Sequence, residues 1–435
     1  MARAALKAYR GVGRLLAPAL PLLTSWRARN GKEDPTRRQE RFGYASQARP
    51  TGPLAWVHAA SVGETNAVMP LLSQLIANGY AVLLTTTTVT AARIAAARLP
   101  EGALHQYVPF DVAPLIGRFL KTWRPDVAIF VESEIWPATL SELARAGIPR
   151  CVVNGRLSER SWRRWKAAPS IARAVFGMID RCAAQTAADA DRFRDLGVHD
   201  AVAAGNLKYD SDALPADADA VAAFGEAVDG RPVWIAASTH PGEEEKIIAA
   251  HERLRKRFPD LLTLLVPRHP GRGDEVAGLL EGHGIAFARR SSGDTPGAET
   301  AVYLADTIGE MGLFYRQAQV AFVGGSLVPH GGQNPIEPAQ LGVAIVTGPH
   351  VHNFRDVYGE LVSAGAVTRI EADADLAPAI EQLLADTDAL TDQVERAHAI
   401  VAAGRGGIER TLDALRPALT NSTEASASAK PAAGR

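Results

Sequence analysis

LAWVHAASVGETNAVMPLLSQLIANGYAVLLTTTT, residues 54–88, decides the fold. The runs LAWVHAA (54–60) and YAVLLTTTT (80–88) are short and apolar, so each predicts a buried strand. Between them, NAVMPLLSQLIANG carries apolar residues at helical spacing. Alternation of strand and helix implies a parallel sheet covered on both faces.

The same alternation extends in both directions. DVAIFVE (126–132), CVVNG (151–155) and RCAAQT (181–186) read as further strands, with AAPSIARAVFGMI as a helix. PVWIAAST (232–239), LLTLLVP (261–267), AVYLA (301–305), VAFVGG (320–325) and VAIVTG (343–348) repeat the scheme. SDALPADADAVAAFGEAVDGRP, between the halves, is acidic, rich in Ala and Pro, and has no strand signal. The pattern predicts an α/β protein of two doubly wound, Rossmann-like domains facing a central cleft. The expected boundaries are 46–212, a linker at 213–231, and 232–417. In such sheets ligands bind beyond the carboxyl ends of the strands.

Composition narrows the function. The 435 residues are 47% hydrophobic and 22% charged, as in globular proteins. Lys+Arg 47 against Asp+Glu 48 leaves no electrostatic footprint for nucleic acid. Two cysteines, Cys151 and Cys182, sit in apolar runs; this excludes a disulfide framework and fits a reducing compartment.

Residues 1–45 differ from the rest. They are strongly basic and enclose LLAPALPLL (15–23), which is too short to span a bilayer. No clean small-x-small site follows it to favour a cleaved signal. The segment reads as an interfacial anchor, its apolar residues entering a leaflet and its cations meeting anionic head groups. The alternative is a basic helix packed on the body. The last residues, 418–435, are small and polar, and predict a disordered tail.

Chemistry-bearing residues follow the strands. HAASVGET supplies His58, Ser61, Gly63 and Glu64, with Glu64 in the first turn of a helix. The helix dipole favours a carboxylate there and should lower its pKa, which weakens it as a base. FVESEIWP brings Glu132 and Glu134 to a strand end, where a buried carboxylate needs a cation or donor. Arg156 and Arg160, in NGRLSER, are candidate partners for these or for an anionic substrate. GNLKYD closes the first domain with Lys208.

The second half carries signals for phosphate and nucleotide. Ser238, Thr239 and His240 fall in one strand-to-helix turn, and Arg268 and His269 in another, where a forked guanidinium meets phosphate. FVGGSL, with Gly325 and Ser326, and HGGQNPIEPA are Gly-rich loops. Asn334 is the expected N-cap of a following helix with Pro335 at its first position. Free amides at such a start bind anions, and Glu337 is placed to accept from ribose hydroxyls. No GxGxxG after the first strand, GxxxxGKS, HExxH or GxSxG occurs, and no acid and histidine cluster proposes a metal.

Together these segments resemble the Kdo (3-deoxy-D-manno-octulosonic acid) transferases of lipopolysaccharide synthesis, glycosyltransferase family 30. The resemblance runs through ERFG (40–43), SVGE (61–64), ESEIWP (132–137), NGRLSERS (154–161), GNLKYD (205–210), STHPGEE (238–244), VPRHP (266–270), GGSLVPHGGQNPIEPA (324–339) and GPHVHNF (348–354). It implies a GT-B fold and an inverting, metal-independent transfer of Kdo from CMP-Kdo to the 6′-hydroxyl of a lipid A precursor. The site of action would be the cytoplasmic face of the bacterial inner membrane, with no cofactor. Glu64 matches the family's proton acceptor, and Glu132 and Lys208 match positions that stabilise the transition state. Pro267, Arg268, Ile308, Gly309, Glu310, Asn334, Pro335, Ile336 and Glu337 match its CMP-binding positions. Lys208 would neutralise the leaving phosphate or the Kdo carboxylate, with Glu132 positioning it. The competing readings are a GT-B enzyme acting on a soluble nucleotide sugar, as a 2-epimerase does, and a binding protein that keeps the fold without catalysis.

Overall fold

The structure, a computed structural model, describes residues 2–428. Two compact units form: 1–211 together with the chain from Gly404 onward, and 212–403. The return at Gly404 corrects the expected boundary at 417. The final helix, Gly407–Ser428, packs Ile408, Leu412 and Leu415 into the core of the first unit. Residues 418–428 continue that helix in place of the expected tail, and 429–435 lie outside the described residues.

The first sheet has seven strands: β1 (Leu54–His58), β2 (Ala81–Thr86), β3 (Ala103–Tyr107), β4 (Val127–Val131), β5 (Arg150–Gly155), β6 (Arg181–Ala184) and β7 (Ala201–Ala203). Their order is β3-β2-β1-β4-β5-β6-β7, and every pairing is parallel. The second sheet contains β8 (Val233–Thr239), β9 (Leu262–Pro267), β10 (Phe287–Arg289), β11 (Val302–Leu304), β12 (Val320–Val323), β13 (Ala344–Thr347) and β14 (Thr368–Arg369). Its order is β10-β11-β9-β8-β12-β13-β14, again all parallel.

Alternation along each strand feeds two cores, one on each face of the sheet. In the first unit Trp56, Leu83 and Phe130 pack with Phe119 and Trp123, while Val57, Leu84 and Ile129 pack with Leu71, Leu75 and Leu415. In the second, Trp234, Leu265 and Phe322 face one layer and Ile235, Leu264 and Ala321 the other. Helix starts are set by polar side chains: Ser61, Thr88, Ser158, Thr186 and Asp217 each accept from a first-turn amide.

The strand order reverses between β1 and β4 in one sheet and between β8 and β12 in the other. Crevices for ligands form at such switch points, beyond the strand ends. Non-glycine residues with positive φ gather at these ends: Glu132 (57°) after β4, Asn154 (52°) in β5 and Ser238 (58°) in β8. Asn154 and Ser238 each mark a register shift in their strand, which re-aims the backbone there.

The N-terminal helix Ala2–Leu16 packs partly on the body. Leu6 joins the first core, Arg10 pairs with Glu142, and Tyr9 donates to Asp111 at 2.9 Å. Leu15, Leu16, Leu22 and Trp26 remain exposed. Among the described residues, no helix is long and apolar enough to cross a membrane.

Candidate active site

The loops after β1 and β4 bring three carboxylates together at the first switch point. Ser61 caps the helix Val62–Ala77, and its hydroxyl donates to Glu64 Oε1 at 2.9 Å. The Ala60 amide donates to Oε2 at 2.7 Å, so the carboxylate folds back over the helix start. Glu64 is 9% exposed. Burial, followed by the charge of Glu132, lifts its pKa to about 7 against the pull of those two hydrogen bonds. The helix start was expected to lower it; desolvation beside like charge outweighs that effect.

Glu132 and Glu134 have separate partners. Glu132 Oε1 lies 3.7 Å from Lys208 Nζ. Glu134 Oε2 accepts from Trp136 Nε1 at 2.7 Å and lies 3.7 Å from His58 Nε2. Burial pushes the Glu134 carboxyl up, but His58 and Trp136 together hold it below the usual range. His58 is buried, and its Nδ1–H donates to the Thr85 carbonyl at 3.0 Å. Lys208 and His58 thus stand beside two of these carboxylates, while Arg160 is exposed and Arg156 half-buried.

Lys208 stands on a short turn, Leu207–Asp210, that is fixed from both ends. Buried Asn154 accepts from the Leu207 amide at 3.1 Å, and Asn206 accepts from the Lys208 amide at 3.1 Å. The Asp210 carboxylate accepts from the Gly406 amide at 2.6 Å and from that of Ile408, at the start of the closing helix.

In the second unit, Glu243 organises the loops at the switch point. Its buried carboxylate accepts from the amides of His240 (2.9 Å), Gly325 (2.7 Å), Ser326 (3.0 Å) and Leu327 (2.9 Å). Gly325 and Ser326 were expected to meet phosphate, but Glu243 already fills that cradle. Ser326 is fully buried and donates to the Val323 carbonyl at 2.6 Å. Thr239 is likewise committed: its hydroxyl donates to Glu244 at 2.8 Å, and Arg272 holds Glu244 at 2.6 Å. Glu243 lies within the STHPGEE run, but nothing in that run sets it apart from its acidic neighbours Glu244 and Glu245.

His240 stacks on His330 with ring centroids 3.8 Å apart, and its Nε2 lies 2.9 Å from Gln333 Nε2. Burial, then His330, His269 and two arginines, lowers its pKa to about 4, so it is neutral at pH 7. Gly325 has φ 69°, and a Cβ there would stand 3.2 Å from this ring. Pro267 ends β9 and is buried; Arg268, Ile308 and Gly309 are exposed after β9 and β11. The Glu310 carboxylate is held by Arg290 and Thr307. The helix expected at Pro335 is a five-residue piece, Ile336–Gln340, with Pro335 as its N-cap. Asn334, expected as the N-cap, stands one residue before it, accepting from the Ile336 amide at 3.1 Å and donating to Glu337 at 3.2 Å.

Solved structures share this architecture. The Staphylococcus aureus MnaA–UDP structure aligns with a TM-score of 0.54 at 14% identity, over 85% of this chain and 97% of that one. The Listeria monocytogenes putative UDP-N-acetylglucosamine 2-epimerase gives 0.53 at 14% identity, over 86% and 98%. Two doubly wound parallel sheets with charged clusters at their switch points define a protein of the GT-B class. Residues 36–211 match the family described as 3-deoxy-D-manno-octulosonic-acid transferase (kdotransferase). The 3-deoxy-D-manno-octulosonic acid transferase of Bordetella pertussis is 40% identical over 390 residues, 86% of this chain and 90% of that protein. That of Haemophilus influenzae is 36% identical over 389 residues, 87% and 91%. The chain belongs to this Kdo transferase family and is a glycosyltransferase.

Proposed function

We propose that the chain transfers Kdo from CMP-Kdo to the 6′-hydroxyl of a lipid A precursor, with inversion, and that Glu64 is the general base. The observation that carries this reading is a buried carboxylate with a pKa of about 7 at a switch point, beside a lysine-paired glutamate. A base poised near the working pH is half available and still basic enough to take a proton. The acceptor oxygen attacks the anomeric carbon as the bond to the CMP oxygen breaks. CMP leaves with the bonding electrons, and the hydroxyl proton passes to Glu64. The anomeric centre becomes oxocarbenium-like on the way, so a carboxylate base suffices.

Two anionic groups attend this reaction, the Kdo carboxylate and the leaving phosphate. Lys208, steadied by Glu132, neutralises one of them, and protein cations do so without a metal. The donor is assigned to the second unit through Arg268, Ile308–Glu310 and Asn334–Glu337. The exposed apolar residues of the N-terminal helices, flanked by Lys7, Arg14 and Arg29, support docking of the protein at the cytoplasmic face of the inner membrane.

The test is mass analysis of product lipid after incubation of enzyme, a lipid A precursor and CMP-Kdo generated in situ. Expected is a mass gain of Kdo that Glu64→Gln loses while CMP-Kdo binding persists. A Glu64→Gln enzyme with undiminished turnover would remove the base assignment. No gain beside an active control enzyme would remove the acceptor assignment.

A further inference from the structure

A cavity of about 560 Å³ lies where the N-terminal helices meet the ERFG turn, lined by Pro21, Ser25, Arg38, Tyr44, Leu115 and Arg118 among others. Glycine makes it possible. Gly43 has φ 81°, and a Cβ there would stand 2.2 Å from the Leu115 carbonyl oxygen, so the turn sits directly on the helix Ala113–Trp123. That contact brings Arg118 against the turn, where it donates to the Phe42 carbonyl at 2.6 Å and lies 4.1 Å from the Tyr44 ring centroid. Arg38 reaches the same space from the other side and donates to Ser25 Oγ at 3.0 Å.

The charge here is uncompensated. Arg10, Arg27, Arg37 and Arg41, from the same segment, each pair with a glutamate. Among the described residues neither Arg38 nor Arg118 has a carboxylate partner, and no acid lines the cavity. Two half-buried arginines and the Ser25 hydroxyl line this one cavity, and such donors match a phosphate group. The helix Leu20–Arg29, which supplies Pro21 and Ser25, exposes Leu22 (75%) and Trp26 (60%), and the helix before it exposes Leu15 (81%). An occupant must therefore be anionic at one end and apolar at the other.

We infer that this cavity receives the phosphate headgroup of an anionic phospholipid, while Leu15, Leu22 and Trp26 enter the surrounding acyl layer. The inference rests on the bilayer-facing reading of the N-terminal helices. Each guanidinium near an anionic surface contributes roughly fivefold in partitioning, so the pair contributes about thirtyfold.

The experiment is vesicle sedimentation of the full chain with phosphatidylcholine alone and with phosphatidylglycerol added. The wild type should prefer the phosphatidylglycerol vesicles, and Arg38→Gln/Arg118→Gln should lose about thirtyfold of binding there and nothing on phosphatidylcholine. Arg38→Lys/Arg118→Lys should recover most of the preference, which a folding defect would not allow. Leu15→Ser/Trp26→Ser should weaken binding to both vesicle types. A double glutamine variant that keeps the full preference overturns the cavity assignment alone. A wild type that binds neither vesicle overturns the bilayer reading and the cavity with it. A rise in KM for the lipid acceptor in detergent, with vesicle binding unchanged, assigns the cavity to the acceptor and also overturns the inference.

Discussion

Glu132 holds its carboxylate 3.7 Å from the Lys208 ammonium from a left-handed backbone position, φ 57°, in the loop after β4. The two residues are distant in sequence, one on a loop and one on a turn anchored by Asn154 and Asp210. Side chains so linked act as a unit, and their deletions should not add. Lys208→Ala is expected to lower kcat by about 10²–10³-fold, as loss of one charge-stabilising donor does elsewhere. Glu132→Gln should cost less, because the lysine remains. In the double variant the loss should match Lys208→Ala alone. Full additivity in steady-state kinetics would show that the two side chains serve separate steps.

The backbone at Glu132 makes a second prediction possible. A non-glycine residue in the left-handed region costs on the order of 1 kcal/mol, and glycine relieves it. Glu132→Gly should therefore unfold at equal or higher denaturant concentration than the wild type while losing most of its turnover. Such a split between stability and activity would mark the strain as retained for the carboxylate. A variant destabilised by more than about 1 kcal/mol would instead give Glu132 a structural role.

Glu64 predicts two opposite pH responses. As a base it must be ionised, so kcat/KM should rise with pH and level off above about 7. For stability the direction reverses. In the unfolded chain a glutamate ionises near its ordinary 4.5, whereas the folded protein holds the proton until about 7. The native state therefore binds more protons in this window, and stability should fall as pH rises from about 4.5 to about 7. The shift corresponds to on the order of 3 kcal/mol, and Glu64→Gln should abolish it. Denaturant titrations of both proteins at pH 5 and pH 8 make the comparison. A wild type and variant with parallel pH profiles would mean that Glu64 is ionised throughout.

Much of this site was legible in the sequence because its residues follow strands that are buried on both faces. Such strands read as apolar runs, and the ten central strands fit that description. β3, β7, β10 and β14 gave no signal, and they are the four sheet edges. An edge strand is paired on one side only, so ALHQY, AVA, FAR and TR need no apolar run. The return of the chain at Gly404 was hidden for a different reason. The apolar spacing of Ile408, Leu412 and Leu415 announces a helix but not which sheet it covers. The Glu64 carboxyl was misread because its helix position is local, while Glu132, which shares in raising its pKa, is remote in sequence.

Glu243 carries the last prediction. Its carboxylate takes the place an anion would occupy in the loop after β12, accepting four main-chain amides within 3.0 Å. Glu243→Ala removes the acceptor and leaves these buried donors without partners, at a cost of roughly 3–5 kcal/mol. The loop carries His330 and leads to Asn334 and Glu337, so CMP affinity should fall with stability. Glu243→Gln keeps the shape but turns one donor toward the amides, and should lie between. Chemical denaturation read from Trp234, fully buried in the second unit, follows the effect there. If Glu243→Ala stays within about 0.5 kcal/mol of wild type and binds inorganic phosphate in the vacated space, the loop is a phosphate cradle after all. The glutamate would then be its lid and not its frame.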